Sequence, residues 1–237
     1  MLVFRTMELL RASLPDQVFR RLAADVLAGR YAPGERLPTQ RALAAALGVN
    51  MASVREGIKR LEQLKLVEVR QGDAMRVRDW RAHGGLDVLV HALGGGAALD
   101  DEVMRSVMEA RGLLLADAAR LAAERRDEEQ AALLATLAEE VAAADGDEAA
   151  QGADFAFFAT LIAASGNLVL LLVANSIRDL YFARLADFRA LVRDREVLAS
   201  RYAEAASAVA AGDAEAAALI VADLAAAQEA AWLEGLS

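Results

Sequence analysis

Cysteine is absent from the 237 residues, which excludes disulfide staples, cysteine–zinc sites and thiol nucleophiles together. Histidine is nearly absent: His83 and His91 are the two present, a poor supply for acid–base or metal chemistry. No glycine-rich phosphate loop follows a strand pattern, and no carboxylates pair at a distinctive spacing, so an enzyme is not expected. No basic and apolar leader opens the chain, which makes the cytoplasm the expected compartment. Proline occurs three times, at positions 15, 33 and 38, and never in the 199 residues that follow. A long proline-free tract rich in alanine and leucine favours helix throughout.

One uncharged run raises the question of a membrane. From Phe155 to Ile177 no side chain is ionisable, and a spanning helix needs about 20 apolar residues. Ser165-Gly166-Asn167 interrupts it with a helix stop and restart signal, and no Lys/Arg cluster flanks it. The run is therefore expected to form two buried core helices joined by a tight turn, with no membrane partner.

What is present is an apolar, acidic chain with an uneven charge. Hydrophobic residues make up 56%, enough for a real core and, at this length, for one to two domains. The net charge of −9 divides into +5 over residues 1–80 and −14 over residues 81–237. Such a split suggests a basic module that meets a polyanion, joined to an acidic module with another task.

The basic part carries finer signals. Ser13 with Pro15 and Asp16 opens a helix, and Val18, Phe19, Leu22, Val26 and Leu27 give it an apolar stripe of helical period. Gly29 closes it. Thr39 caps a short helix ending at Gly48, and Asn50 caps a third, whose buried face is Val54, Ile58, Leu61 and Leu64. Val67 and Val69 alternate with Glu68 and Arg70, a turn follows at Gln71-Gly72-Asp73, and a second short strand runs through Met75 and Val77. Helix, helix, tight turn, helix and hairpin read as a winged helix-turn-helix.

In such a motif the last helix enters the major groove, its N-terminal residues reaching base edges. With Val54 and Ile58 inward, Met51, Ser53, Arg55 and Lys59 are expected to project outward beside Asn50. Arg36 and Arg41, before and within the preceding helix, suit phosphates. In the wing, Gly72 lets backbone approach a groove while Arg70 and Gln71 supply donors. Beyond Trp80, a connector with a short helix spans residues 80–97. Six helical segments are expected near 99–123, 127–144, 148–165, 167–193, 195–211 and 213–234. The organisation is then a DNA-binding domain over 1–79, a linker over 80–97 and an all-helical domain over 98–237. The fold class is mainly α.

The run LPTQRALAAALGVNMASVREGIKRLEQLKLVEVRQGDAMRV, Leu37 to Val77, resembles the GntR family of bacterial transcription factors. The likeness lies in its Leu-Pro start, LGV, VRE and RLE steps and Gly-bearing wing. The resemblance implies a homodimer on a palindromic double-stranded operator, with Arg41, Asn50, Ser53, Arg55, Gln71 and Gly72 at DNA-contacting positions. Met51 and Ala52 stand where that family often carries Arg and Thr, so either the operator sequence differs or it is read partly through thymine-methyl contact.

The rear half is similar to the helical effector domain of the FadR branch, through Arg111 with ARLAAER, DFAFF, SGN and AAGDAEAA. Many members of that branch hold a divalent metal with an Asp and three His. Here Asp154 stays, while the histidine positions are read as Phe158, Tyr202 and Asp223, so no metal and no cofactor are expected. The resemblance to the branch's fatty-acid regulators implies an effector such as long-chain acyl-CoA. Arg111 would then face the ligand, and Asp154, Phe158, Tyr202 and Trp232 would stand at or near an apolar channel. An alternative effector is a sugar acid or other carboxylate, held through a residual metal at Asp154.

Overall fold

A computed structural model describes residues 13–69, 74–94 and 101–234. Two compact units divide the chain, residues 1–99 and 100–237.

In the first unit, α1 (Leu14–Leu27) starts from a reciprocal cap. Ser13 accepts from the Asp16 backbone N–H while Asp16 reaches back to the Ser13 backbone, which satisfies two otherwise orphaned donors. α2 (Gln40–Leu47) is capped by Thr39 and ended by Gly48 in the left-handed conformation at φ 65°. α3 (Met51–Gln63) begins where Asn50 Oδ1 accepts from the Ser53 N–H at 2.8 Å. α1 and α3 approach closely because Gly57 has no side chain. A Cβ there would lie 2.8 Å from Val18 Cγ1 and 3.1 Å from the Phe19 backbone nitrogen.

Val54, Leu61 and Leu66 are fully enclosed beneath α1, with Val18, Leu22 and Ile58 nearly so. Each such aliphatic group contributes about 1.5–3 kcal/mol of burial. After α3 the strands β1 (Val67–Glu68) and β2 (Arg76–Val77) pair antiparallel, and an isolated bridge from Arg36 to Arg76 adds residues 35–37 to their edge. Helices α4 (Trp80–His83) and α5 (Leu86–Gly94) follow. Val88 of α5 joins the same core, and Phe19 meets His91 edge to face at 5.1 Å.

The second unit is helical throughout its described residues. It comprises α6 (Asp101–Arg125), α7 (Glu128–Ala143), α8 (Asp147–Ala164), α9 (Leu168–Ala183), a 3-10 segment η1 (Leu185–Val192), α10 (Arg195–Ala211) and α11 (Ala214–Glu234). Alanines 118, 119, 122 and 123 on α6 are all buried without remainder, which lets neighbouring helices sit close. Phe157, Leu161, Leu134, Val141, Tyr202 and Leu224 fill the interior. By length and composition alone α11 could cross a membrane; here it packs on α6 and α10 as a bundle helix.

Two expectations for this unit are corrected. The helix expected over 167–193 breaks at Arg184, where φ is −129°. Gln151 Nε2 donates to the Leu185 carbonyl at 2.7 Å, and Trp232 Nε1 donates to the Asp187 carbonyl at 3.1 Å. Those side chains take acceptors that a continuing α-helix would use internally. The uncharged run 155–177 does turn at Ser165-Gly166, but only its first helix is buried. On α9, Leu168 is 65% exposed, Val169 68% and Leu172 55%, because α6, α7, α8, α10 and α11 already close the main core.

Candidate DNA-binding face and effector site

The inward set Val54, Gly57, Ile58 and Leu61 fixes the roll of α3. Its outward face is therefore Ala52, Arg55, Glu56 and Lys59, one stripe at i, i+3, i+4 and i+7, all exposed. Arg55 and Lys59 form no ion pair among the described residues, and neither does the exposed Arg41 on α2. Met51 is half-buried at the start of the helix.

Ser53, expected to project outward, is instead turned inward and only 6% exposed. The cap geometry forces this, since its N–H is held by Asn50 one residue before the buried Val54. Asn50 is exposed, yet its side-chain oxygen is committed to that cap, leaving its amide N–H₂ for other contacts. Arg36 is exposed beside the hairpin. Arg70, Gln71 and Gly72 lie outside the described residues. Glu56 was not among the candidates read from the sequence, although a register count from Val54 would have placed it beside Arg55.

In the second unit, the structure brings Arg111, Asp154, Phe158 and Tyr202 together with Gln228. Tyr202 Oη donates to Asp154 Oδ1 at 2.5 Å, and Gln228 Nε2 donates to the same oxygen at 2.7 Å and to Tyr202 Oη at 2.8 Å. Gln228 Oε1 in turn accepts from Arg111 Nη2 at 2.8 Å, and the Arg111 guanidinium lies 4.9 Å above the Phe158 ring. Asp223 is corrected: it faces solvent, because the inward face of α11 runs Val221, Leu224, Ala225, Gln228 and Trp232. Its backbone carbonyl accepts from Arg201. Trp232, one turn beyond Gln228, is buried in a smaller cluster with Met108 and Leu191.

Those residues do not fit a metal ion. One carboxylate oxygen already carries two donors, Phe158 offers no ligand atom, and no group of three or more His, Cys, Asp or Glu is placed for a metal among the described residues.

Burial pushes the Asp154 carboxyl above the usual aspartate range, against the opposing pull of Arg111, Tyr202 and Gln228. Burial likewise raises the phenols of Tyr202 and Tyr181, with the nearby Asp154 charge acting in the same direction. For an acid with a raised folded value, the stabilising contribution is complete below the unfolded value, about pH 4, and is lost as pH rises through the folded one. Asp154→Asn keeps Oδ1 as acceptor for both donors and cannot ionise. Its melting temperature relative to the parent is therefore expected to climb between acid and neutral pH. A difference that stays flat over that interval would falsify the assignment of a strained, buried carboxyl.

Comparison with known proteins agrees with this division. Residues 14–77 match the model for bacterial regulatory proteins of the gntR family, and residues 106–227 match the FCD domain. The chain is 38% identical over 206 residues to the HTH-type transcriptional regulator Mce2R of Mycobacterium tuberculosis, covering 86% of this chain and 85% of that protein. It is 28% identical over 162 residues to the HTH-type transcriptional regulator LutR of Bacillus subtilis, covering 68% of this chain and 72% of that one. Among solved structures, that of Lar, described as controlling the Listeria monocytogenes agr system, shares the fold with TM-score 0.59 at 18% identity, covering 94% of this chain and 98% of Lar. Those matches, over a helix-turn-helix unit and an all-helical unit, place this chain in the GntR family, as a transcriptional regulator with an FCD effector-binding domain rather than an enzyme.

Proposed function

We propose that the chain acts in the cytoplasm as a homodimeric repressor. In this reading α3 enters the major groove of a palindromic operator, and an apolar acyl effector bound in the helical unit releases it. The functional division is proposed at 1–79, 80–97 and 98–237. The carrying observation is the α3 face of Ala52, Arg55, Glu56 and Lys59, which presents two cations in the only net-positive part of the chain. Arg and Lys suit guanine edges and phosphates, Glu suits the cytosine amino group, and Ala suits the thymine methyl.

Arg36, Arg41, Asn50, Met51, Arg70, Gln71 and Gly72 are proposed to support that contact. Ser53 is proposed to act only through its N–H in the cap.

Arg55→Ala is expected to lose about 1–3 kcal/mol of operator affinity and to relax base preference at one position. Gel shifts with genomic promoter fragments at two salt concentrations test it. Weak attachment that ignores sequence and vanishes at the higher salt would refute the operator reading.

For the effector, the resemblance to the FadR branch names long-chain acyl-CoA, with Arg111, Asp154, Phe158, Tyr202 and Trp232 at or beside its site. The Phe158 ring beneath the Arg111 guanidinium supports an apolar acyl ligand. The second reading, a sugar acid on a residual metal at Asp154, is disfavoured by the donor set described above.

Dimerisation has its own support. On α9 the residues Leu168, Leu171, Leu172, Asn175 and Phe182 form an exposed stripe of helical period, and no charge occurs from Leu168 to Ile177. A chain carrying −14 over residues 81–237 repels acidic partners over most of that surface. A second copy can approach where charge is missing, and a twofold pairing of identical apolar stripes is self-complementary.

A further inference from the structure

A carboxylate carries the wrong charge for a surface that meets DNA, yet Glu56 stands exposed on the outward stripe of α3. At about 100° per residue, Ala52 and Lys59 mark the middle of that stripe, with Arg55 about 60° to one side and Glu56 about 40° to the other. Phosphates repel Glu56 wherever α3 approaches a duplex. Only a donor on a base edge offsets that repulsion.

A helix can neutralise such a residue by itself. The neighbours of Glu56 at i+3 and i+4 are Lys59 and Arg60, and Glu four residues before a cation is the favoured order for a helical ion pair. Here that pair is not made. Arg60 Nη1 donates instead to Asp16 Oδ1 on α1, and Glu56 makes no ion pair among the described residues. Asp16 serves Arg60 and its own helix start together, because its other oxygen, Oδ2, accepts from the Ser13 N–H at 3.2 Å. Ser13, and after it Arg60, hold the Asp16 carboxyl below the usual aspartate range, so the contact to Arg60 joins two full charges at neutral pH. α1 packs on α3 across Gly57, which keeps Asp16 in reach of Arg60.

Few groups can satisfy a carboxylate in the major groove. The amino donors there are N4 of cytosine and N6 of adenine. Adenine sets its amino group beside the N7 acceptor, which repels a carboxylate, whereas N4 is the one polar group that cytosine presents.

We propose that Glu56 is a specificity-determining residue that reads one cytosine in each operator half-site, and that Asp16 is its positioning residue, holding Arg60 away from it. This rests on the operator reading above and adds a base that no cation on α3 can read. Asp16 touches no base; it acts through Arg60.

The test is selection of sites from a randomised double-stranded DNA library by the full chain. It is repeated with Glu56→Gln, Glu56→Ala, Asp16→Ala, and Asp16→Ala combined with Arg60→Ala. The parent is expected to select cytosine at one position per half-site, and replacing that base should weaken binding about 5- to 150-fold. Glu56→Gln is expected to change this one preference to adenine, because an amide bonds N6 and N7 together, with the other positions kept. Glu56→Ala is expected to erase the preference there. Asp16→Ala releases Arg60 to Glu56 and is expected to cut the cytosine preference about two- to fivefold, and the added Arg60→Ala is expected to restore it. A purely structural role for Asp16 gives no such rescue. Circular dichroism monitors folding, and Asp16→Asn, which keeps an acceptor for the Ser13 N–H, replaces Asp16→Ala if the latter is unfolded.

A Glu56→Gln variant that selects the same sites as the parent overturns the cytosine reading and leaves the regulator reading intact. A cytosine preference untouched by Asp16→Ala, or not restored by Arg60→Ala, overturns the positioning by Asp16. A parent that selects no sequence at all fails the operator reading itself, which separates the two failures.

Discussion

Gln228→Leu is expected to destabilise the helical unit by about 3–5 kcal/mol, the cost of stranding buried charged partners. The leucine fills nearly the same space, so cavity formation contributes little. What is lost is the bridge between Arg111 Nη2 on one side and Asp154 Oδ1 with Tyr202 Oη on the other. Arg111 then has neither guanidinium nitrogen Nη1 nor Nη2 paired, in an interior where an unmet polar group costs its full desolvation.

Thermal unfolding followed at 222 nm should shift downward by roughly 10 °C for a unit of this size. Arg111→Met combined with Gln228→Leu removes the stranded cation together with its bridge and should recover more than half of the loss. If the double variant is as unstable as the sum of the two singles, the bridge is not what Gln228 contributes.

Leu168→Glu with Leu172→Glu is expected to convert a dimer into a 25.2 kDa monomer and to lower operator affinity by about 10²–10⁴-fold. The large factor follows from geometry. In the proposed dimer one α3 contacts one half-site, and the second contact is nearly free only when a partner already holds the second module close by. Both leucines are exposed at 65% and 55%, so the charges should leave helix content and single-module folding unchanged. Sedimentation velocity and gel shift on the same preparations check the two halves of the claim. A variant that remains dimeric would place the interface elsewhere, and a parent that is monomeric at tens of micromolar would remove it.

α9 carries Tyr181 on the side that stacks on Phe155, and Leu168 and Leu172 on the side left open.

Much of this was legible from local pattern. Ser13, Thr39 and Asn50 announce three helix starts through their side-chain oxygens, and each caps the helix it precedes. The stripe from Val54 to Leu61 determines the roll of α3 and thereby puts Arg55 and Lys59 outside. The same stripe also puts Glu56 outside, beside Arg55. Ser53 was misplaced because it was judged by its polarity and not by its register next to Val54.

The second unit was less legible for a different reason. Hydropathy marks the uncharged run 155–177 as apolar, but it cannot say which of two apolar helices finds a partner within the chain. That depends on how much core the other helices have already closed.

The amino-acid order alone determined the number and type of the N-terminal elements and the charge division between the units, while the resemblance to the FadR branch named Arg111, Asp154, Phe158 and Tyr202 for a common centre. Caps, periods and composition act within one or two turns, and a reader can count them. Only the tertiary structure decided that Gln228 closes that centre, that Asp223 does not, and that the chain kinks at Arg184. Those outcomes depend on contacts such as Arg111 with Gln228, separated by 117 positions. Helix roll and interaxial distance select such a meeting, and neither quantity is carried by any local pattern of residues.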